Sequence, residues 1–266
     1  MMTHVDDLEY WREHSRQLGF AKTEQAEKDY LQELLLMELY GIRHAYWLVF
    51  RGGTAVAKLY GSGRFSEDLD FILDTGIDSN AACETVEKAI GGMKYYYDLE
   101  YARKNYRSMM KYVLKVEGPV YMASKNPQAR QTISMDMNTF EKPMLKPANM
   151  QRVPVYQDLR PYTITAASKD ELADDKVKAI MERTRPVARD LYDLWVLVKR
   201  HGAHIDARIA GEKLTKYPRA KPVRFGKGAF NEKLREIGRI WDTELRSLMA
   251  EVPDYRSVAR DVKAAL

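Results

Sequence analysis

With 266 residues and 45% apolar side chains, the chain can bury a substantial core, either as one continuous domain or as two lobes. A single cysteine, Cys83, excludes an internal disulfide, no apolar run reaches membrane-span length, and the acidic start at residues 1–7 is no secretion signal, so the expected setting is cytoplasmic and away from the membrane. The net charge of +5 is uneven: residues 201–240 hold ten Lys/Arg against four Asp/Glu, and residues 213–227 hold no acid, a pattern that suits either a polyanion-binding surface or an ordinary solvated face.

Residues 4–42 read as two helices, the second with Tyr30, Leu31, Leu34, Leu35, Met37, Leu39 and Tyr40 on a broad apolar surface and Gly41 as its stop. A short strand at 48–50 then meets Gly52-Gly53 and a short helix at 54–60. Glycines let a backbone approach a ligand closely, and the free N–H groups of the helix start, from Thr54 on, suit a phosphate. A Gly-Gly pair is also an ordinary turn. The polar loop G-S-G-R-F-S-E leads into a strand at 68–73, where the period of two places Asp68 and Asp70 on one face, about 7 Å apart along the strand. Two such carboxylates can share hard cations; magnesium takes few carboxylates plus phosphate oxygens. A D-x-D seen anywhere is an exposed polar face, but here it follows a glycine turn and a helix.

Residues 79–92 read as a helix ending at Gly91-Gly92, and residues 94–117 as two strands rich in tyrosine. Tyrosines interleaved with Arg103, Lys104, Arg107, Lys111 and Lys115 could stack bases and hold phosphates, or form the half-buried face of a sheet with its solvated side. Residues 131–138 make a second acid-bearing strand, with Ile133, Met135 and Met137 on one face and Ser134, Asp136 and Asn138 on the other. If it neighbours the D-x-D strand, Asp136 becomes a third carboxylate at the same place. The segment 142–161, with prolines at 143, 147, 154 and 161, is the expected lobe boundary, giving a core at 1–160 and a helical lobe at 161–266.

Beyond it, Ser168-x-x-Glu171 is a capping-box signature, and residues 172–183 carry Lys176 and Lys178. A second helix at 188–198 buries Leu191, Leu194, Trp195 and Val198, leaving Asp190 and Asp193 off that stripe. Asp190 can serve the helix dipole; Asp193 needs another reason. Helices at 205–214, 230–249 and 255–265 complete the chain. The five histidines show no zinc-like grouping.

Taken together, F-R-G-G-T-A-V, R-F-S-E-D-L-D-F, the later strand acid, L-A-D-D-K-V-K-A-I, R-D-L-Y-D-L-W and the tail motifs W-D-T-E-L-R-S-L and V-P-D-Y resemble the AbiEii/AbiGii-type toxin family, which includes the MenT-like nucleotidyltransferase toxins. The resemblance implies an α+β fold: a polymerase-β-type nucleotidyltransferase core with a mixed sheet, plus a helical C-terminal lobe. It implies that Gly52, Gly53, Thr54 and Ser66 lie by a nucleoside triphosphate and that Asp68, Asp70 and Asp136 bind magnesium, with a two-ion site expected. Lys176 is implied at the phosphates, and Asp193 as the acid of the R-D-x-x-D-L motif, both counted with Asp68 and Asp70 as catalytic. The fourteen residues between Gly53 and Asp68 leave open whether Gly52-Gly53 or Gly61-Ser62 cradles phosphate. The implied activity adds a nucleotide from an NTP to RNA, at the tRNA 3′ end, with residues 213–227 on the tRNA backbone. It also implies a cognate antitoxin, with Ser66 a target for phosphorylation. The alternatives are a nucleotidyltransferase acting on a protein or small molecule, and a catalytically silent RNA-binding module.

Overall fold

The computed structural model describes residues 8–74, 77–218 and 223–266; the acidic start and the middle of the basic connector, with Arg219 and Lys221, lie outside the described residues. Two helices come first, α1 (Leu8–Leu18) and α2 (Thr23–Tyr40). Helix α2 is buried on nearly every side, between α1, α4 (Ser79–Met93) and the sheet. Its polar side chains are therefore matched one by one. Glu33 meets Arg152 and the Tyr162 hydroxyl, Glu27 accepts from the Val120 N–H, and Gln32 donates to the carbonyls of Ser66 and Glu67 at 3.0 and 2.8 Å. Buried polar groups demand such partners.

The sheet elements are β1 (Leu48–Arg51), followed by α3 (Gly52–Tyr60), β2 (Asp68–Leu73), β3 (Leu99–Asn105), β4 (Met109–Val116), α5 (Pro119–Ser124), β5 (Gln131–Asn138), β6 (Ala148–Arg152) and β7 (Tyr162–Ala166). Among the described residues they form one seven-stranded sheet in the order β3-β4-β5-β2-β1-β7-β6. It is mixed: β2 runs parallel to β5 and β1 to β7, and the other pairs are antiparallel. Alternation along β5 is clean, Ile133, Met135 and Met137 facing the core.

Strand β7 pairs with both β6 and β1, so the sheet continues past the division expected at 160/161, and the proline-dotted segment supplies an edge strand rather than only a linker. Both strands are only five residues long, too short to show a period through the surrounding prolines. The helical portion starts at α6 (Lys169–Glu182) and continues through α7 (Ala188–Trp195), α8 (Ala207–Lys216), α9 (Lys227–Gly238), α10 (Trp241–Leu245) and α11 (Tyr255–Ala264). Ser168 caps α6 by accepting from the Glu171 N–H, but the Glu171 carboxylate turns away to Leu145 N and Lys213, so only half of the capping box forms. The helix expected at 230–249 breaks after Gly238, where a Cβ would lie 2.7 Å from the Tyr255 ring. Helix α7 passes into a π-helical turn at Val196–Arg200. No described helix is long and apolar enough to cross a membrane.

Candidate active site

Strand register puts the carboxylates together. Arg51 of β1 is paired with Asp70 of β2, Asp70 with Asp136 of β5, and Asp136 with Lys111 of β4. Directly paired residues share a face, so two acids flanked by two bases cross four strands at a spacing of about 4.8 Å. Asp68 lies two residues along β2 on the same face and is exposed, whereas the alternate residues Leu69 and Phe71 go into the core. Lys111 Nζ reaches Asp136 Oδ1 at 2.9 Å, and Arg51 is held by Glu141 Oε2 at 2.7 Å and Asp175 Oδ2 at 2.8 Å. Burial, with a further contribution from Asp136 and Asp68, pushes the Asp70 carboxyl up to about 6 against the opposing pull of Arg51. Burial works against the Arg51 charge, but Asp175 and Glu141 outweigh it and hold the guanidinium firmly protonated.

Gly52 opens α3 with φ of +79°, and a Cβ there would lie 2.2 Å from Asp70 Oδ2. Only glycine fits this left-handed position against a carboxylate. A Cβ on Gly53 would meet Arg64 Nη2 at 2.4 Å. The loop after α3 then folds back. Gly61 ends the helix in the left-handed region, Ser62 is buried and its carbonyl accepts from the Tyr192 hydroxyl, and Ser66 returns to the first turn of α3, where the Thr54 and Ser66 hydroxyls are 2.9 Å apart. Gly52, Gly53 and Ser66 line a cavity of about 600 Å³, and Gly61 and Ser62 do not. The long connection between glycine pair and D-x-D is thus a fold-back that brings Ser66 beside Gly53.

The helical portion contributes the opposite wall. Lys176 Nζ bridges Asp190 Oδ1 at 3.0 Å and Asp193 Oδ2 at 2.6 Å; Arg64 grips Asp193 with two bonds of 2.6 Å; Arg183 Nε holds Asp190 Oδ2 at 2.5 Å. Charges alternate along Arg64, Asp193, Lys176, Asp190 and Arg183. Burial disfavours the Asp190 charge, yet Lys176 and Arg183 hold its pKa down at about 2, and the two acids in turn keep Lys176 above its ordinary value despite burial. Asp190 and Asp193 were expected off the buried stripe of α7, but both are buried, Asp193 completely. A polar character at those positions hid a buried ionic layer.

Of the site residues expected from sequence, Gly52, Gly53, Ser66, Asp68, Asp70, Asp136 and Lys176 all line this one cavity. Thr54 lies just behind it, its hydroxyl bonded to Ser66 Oγ and the Asp68 carbonyl. Asp193 does not line the cavity; it positions Lys176 from the layer beneath. Lys213, expected on a basic RNA-facing connector, is instead buried between Glu171 and Asp175 at 2.7 and 2.6 Å. No local sequence pattern gives a role to Arg51, Arg64, Asp175, Arg183 or Arg189. Arg51 and Arg64 stood inside the quoted motifs, but nothing local shows that they face acids across the sheet or 129 residues away.

The donor set suits a hard divalent cation. Three carboxylates share one sheet face, and the Asp70 pKa, raised chiefly by burial and further by Asp136 and Asp68, marks a place where an added positive charge would favour the ionised acid. Among the described residues no three acidic, His or Cys side chains converge into a ready-made metal cage. Magnesium does not require one, since it keeps water and phosphate oxygens among its ligands. Arg183, Arg189, Lys176 and Lys178 line the same cavity, a set of cations of the kind that can hold a polyphosphate.

Residues 38–266 match the family model described as Nucleotidyl transferase AbiEii toxin, Type IV TA system. In fold the chain is similar to two crystal structures from Helicobacter pylori. One is of a candidate nucleotidyltransferase, at 20% identity and TM-score 0.58, covering 90% of this chain and 91% of the other. The other is of JHP933, at 20% identity and TM-score 0.58, covering 92% and 90%. No curated protein matches the chain in sequence.

Proposed function

The chain belongs to the AbiEii nucleotidyl transferase toxin family of type IV toxin–antitoxin systems, and from that premise we propose that it adds a nucleoside monophosphate from an NTP to the 3′ acceptor end of tRNA, blocking translation. The observation that carries the reading is the cross-strand row of Arg51, Asp70, Asp136 and Lys111 beside the Gly52-Gly53 helix start, over a cavity large enough for a nucleotide. The acceptor hydroxyl attacks the α-phosphorus, a new P–O bond forms, the bond to the β-phosphate breaks, and pyrophosphate leaves with the electron pair. The proton passes to a carboxylate of the row.

In this reading the backbone N–H groups of Gly53 and Thr54 and the Ser66 hydroxyl receive phosphate oxygens, because the start of α3 offers unpaired donors. Lys176, held on two carboxylates, and Arg183 turn toward the leaving pyrophosphate. Asp68, Asp70 and Asp136 would hold magnesium, as one ion or a pair, which supplies charge neutralisation at the reacting phosphate. Positioning and electrostatics carry most of the rate in such a transfer. A cognate antitoxin is expected, and Ser66, at the cavity wall between Thr54 and the acids, is where a phosphate would repel the incoming NTP.

The test is incubation of purified protein with each labelled NTP, magnesium and total tRNA. Label is expected in the tRNA band with at least one NTP and absent with Asp70→Asn. Label in protein or in a small molecule, or equal signal from wild type and Asp70→Asn, overturns the proposal.

A further inference from the structure

The row of charged residues does not stop at Lys111. In the next register Lys111 pairs with Lys104 of β3, the edge strand of the sheet, so two lysines stand directly opposite each other on the face that carries Asp70 and Asp136. Like charges paired across strands destabilise a sheet. Lys111 is partly neutralised by Asp136, whereas Lys104 is exposed and has no acidic partner among the described residues. From residue 101 to 115 there are five Lys/Arg and no Asp or Glu. At the tip of this β3–β4 hairpin Tyr106 is 53% exposed, and Tyr106, Ser108 and Met109 line the active-site cavity. Arg107, beside them, is exposed and likewise without an acidic partner among the described residues.

Lysine on an edge strand has an ordinary use, discouraging edge-to-edge pairing. That use accounts for Lys104 alone. It does not account for a second lysine opposite it on an interior strand, for an exposed aromatic ring at the mouth of the cavity, or for the continuity of this basic face with the acid row. Those features together match a polyanion whose last unit must reach the acids.

We propose that the β3–β4 hairpin is the acceptor platform, and that its occupant is the unpaired 3′ end of an RNA. This rests on the transfer of nucleotides to RNA argued above. Lys104 and Arg107 hold backbone phosphates, and Tyr106 stacks a base at the cavity mouth. Lys104 lies two strand spacings, about 10 Å, from Asp136, so one strand can span from the platform to the row with its terminal hydroxyl at the acids. An unpaired end suits this surface better than a duplex end, since the exposed Tyr106 ring at the cavity mouth can stack only a base that is free of its own helix. Of the basic connector at 213–227, Lys213 is taken up by buried ion pairs and is not available to a polyanion.

Fluorescence anisotropy tests this without chemistry, using a labelled RNA hairpin with a short unpaired 3′ overhang that ends in a 3′-deoxynucleotide, beside the same hairpin made blunt. Wild type is expected to prefer the overhang. Lys104→Gln/Arg107→Gln is expected to weaken overhang binding about tenfold or more at low salt and to flatten the plot of log Kd against log salt by about 1.4, two phosphate contacts at roughly 0.7 each. Tyr106→Ala is expected to weaken it about tenfold without changing that slope. NTP binding by the charge variant, measured by calorimetry, is expected at the wild-type level and reports that it is folded. Wild-type affinity and slope in the charge variant, or equal binding of blunt and overhang RNA, overturns the platform even if tRNA is labelled by the wild type. If the labelled acceptor is a protein or small molecule, the function and the platform fall together.

Discussion

Replacing Arg64 by Met tests whether the ionic layer under the cavity holds the structure together. The Arg64 side chain is 2% exposed and the Asp193 side chain 0%; two bonds of 2.6 Å join them, and a further Nη1 contact of 2.9 Å satisfies the Phe65 carbonyl. Methionine keeps much of the stem volume but leaves Asp193 with Lys176 alone. Removing one member of a buried pair costs about 3–5 kcal/mol, because the surviving charge keeps its desolvation penalty. For a chain of this size each kcal/mol lowers Tm by about 2–4 °C, so a fall of roughly 6–20 °C is expected. Urea unfolding followed by circular dichroism measures the loss directly. Arg64→Met/Asp193→Leu removes both charges, so its loss is expected to fall short of the sum of the single losses by about 1–3 kcal/mol. A single variant within about 1 kcal/mol of wild type, or strictly additive losses, would refute the argument that this pair is a buried, mutually dependent unit.

Gly52→Ala forces a side chain onto Asp70 Oδ2 at a φ of +79°, so label transfer is expected to drop about 10²-fold or more, read in single-turnover assays with excess enzyme. Lys176→Met leaves Asp190 with Arg183 and Asp193 with Arg64, so the protein is expected to fold with a lowered Tm, as for Arg64→Met, while transfer at a temperature well below that Tm falls about 10²- to 10³-fold; circular dichroism beside the transfer assay separates the two effects. Gln32→Leu strips the Ser66 and Glu67 carbonyls of their donor and is expected to cost about 1–3 kcal/mol in urea unfolding. Asp174 is buried, with Oδ1 accepting from the Asp206 N–H, and burial pushes its pKa up to about 7. A carboxyl raised in the folded state stabilises fully below its unfolded pKa of about 3.9 and loses that contribution as pH rises through 7. The fall in Tm between pH 5 and pH 8 is therefore expected to be smaller in Asp174→Asn than in wild type, and scanning calorimetry at both pH values checks it.

Local pattern was enough to place the central strands. Residues 68–71 and 131–138 alternate with period two, so Asp68, Asp70 and Asp136 announced their own face, and the strands cover Asp68–Leu73 and Gln131–Asn138 as expected. The glycine pair before α3 and the ordered motifs through α7 were legible in the same way, since phosphate-sized turns and helix starts have short-range chemistry. Strands β6 and β7 were not: five residues each among prolines, they take their conformation from hydrogen bonds to neighbours rather than from their own pattern. Nor could spacing show that Asp193 would be buried against Arg64, because a charge on a helix reads as solvated until a partner arrives from elsewhere in the chain.

The sequence by itself therefore determined the face that Asp68, Asp70 and Asp136 take along their own strands, because side-chain period is a local property. Only the tertiary structure decided the register that sets Asp70 beside Asp136, extends the row from Arg51 to Lys104, and folds Ser66 back onto Gly53. Those relations rest on pairing between distant strands and on compensation of buried charge, two long-range terms to which no local pattern is sensitive.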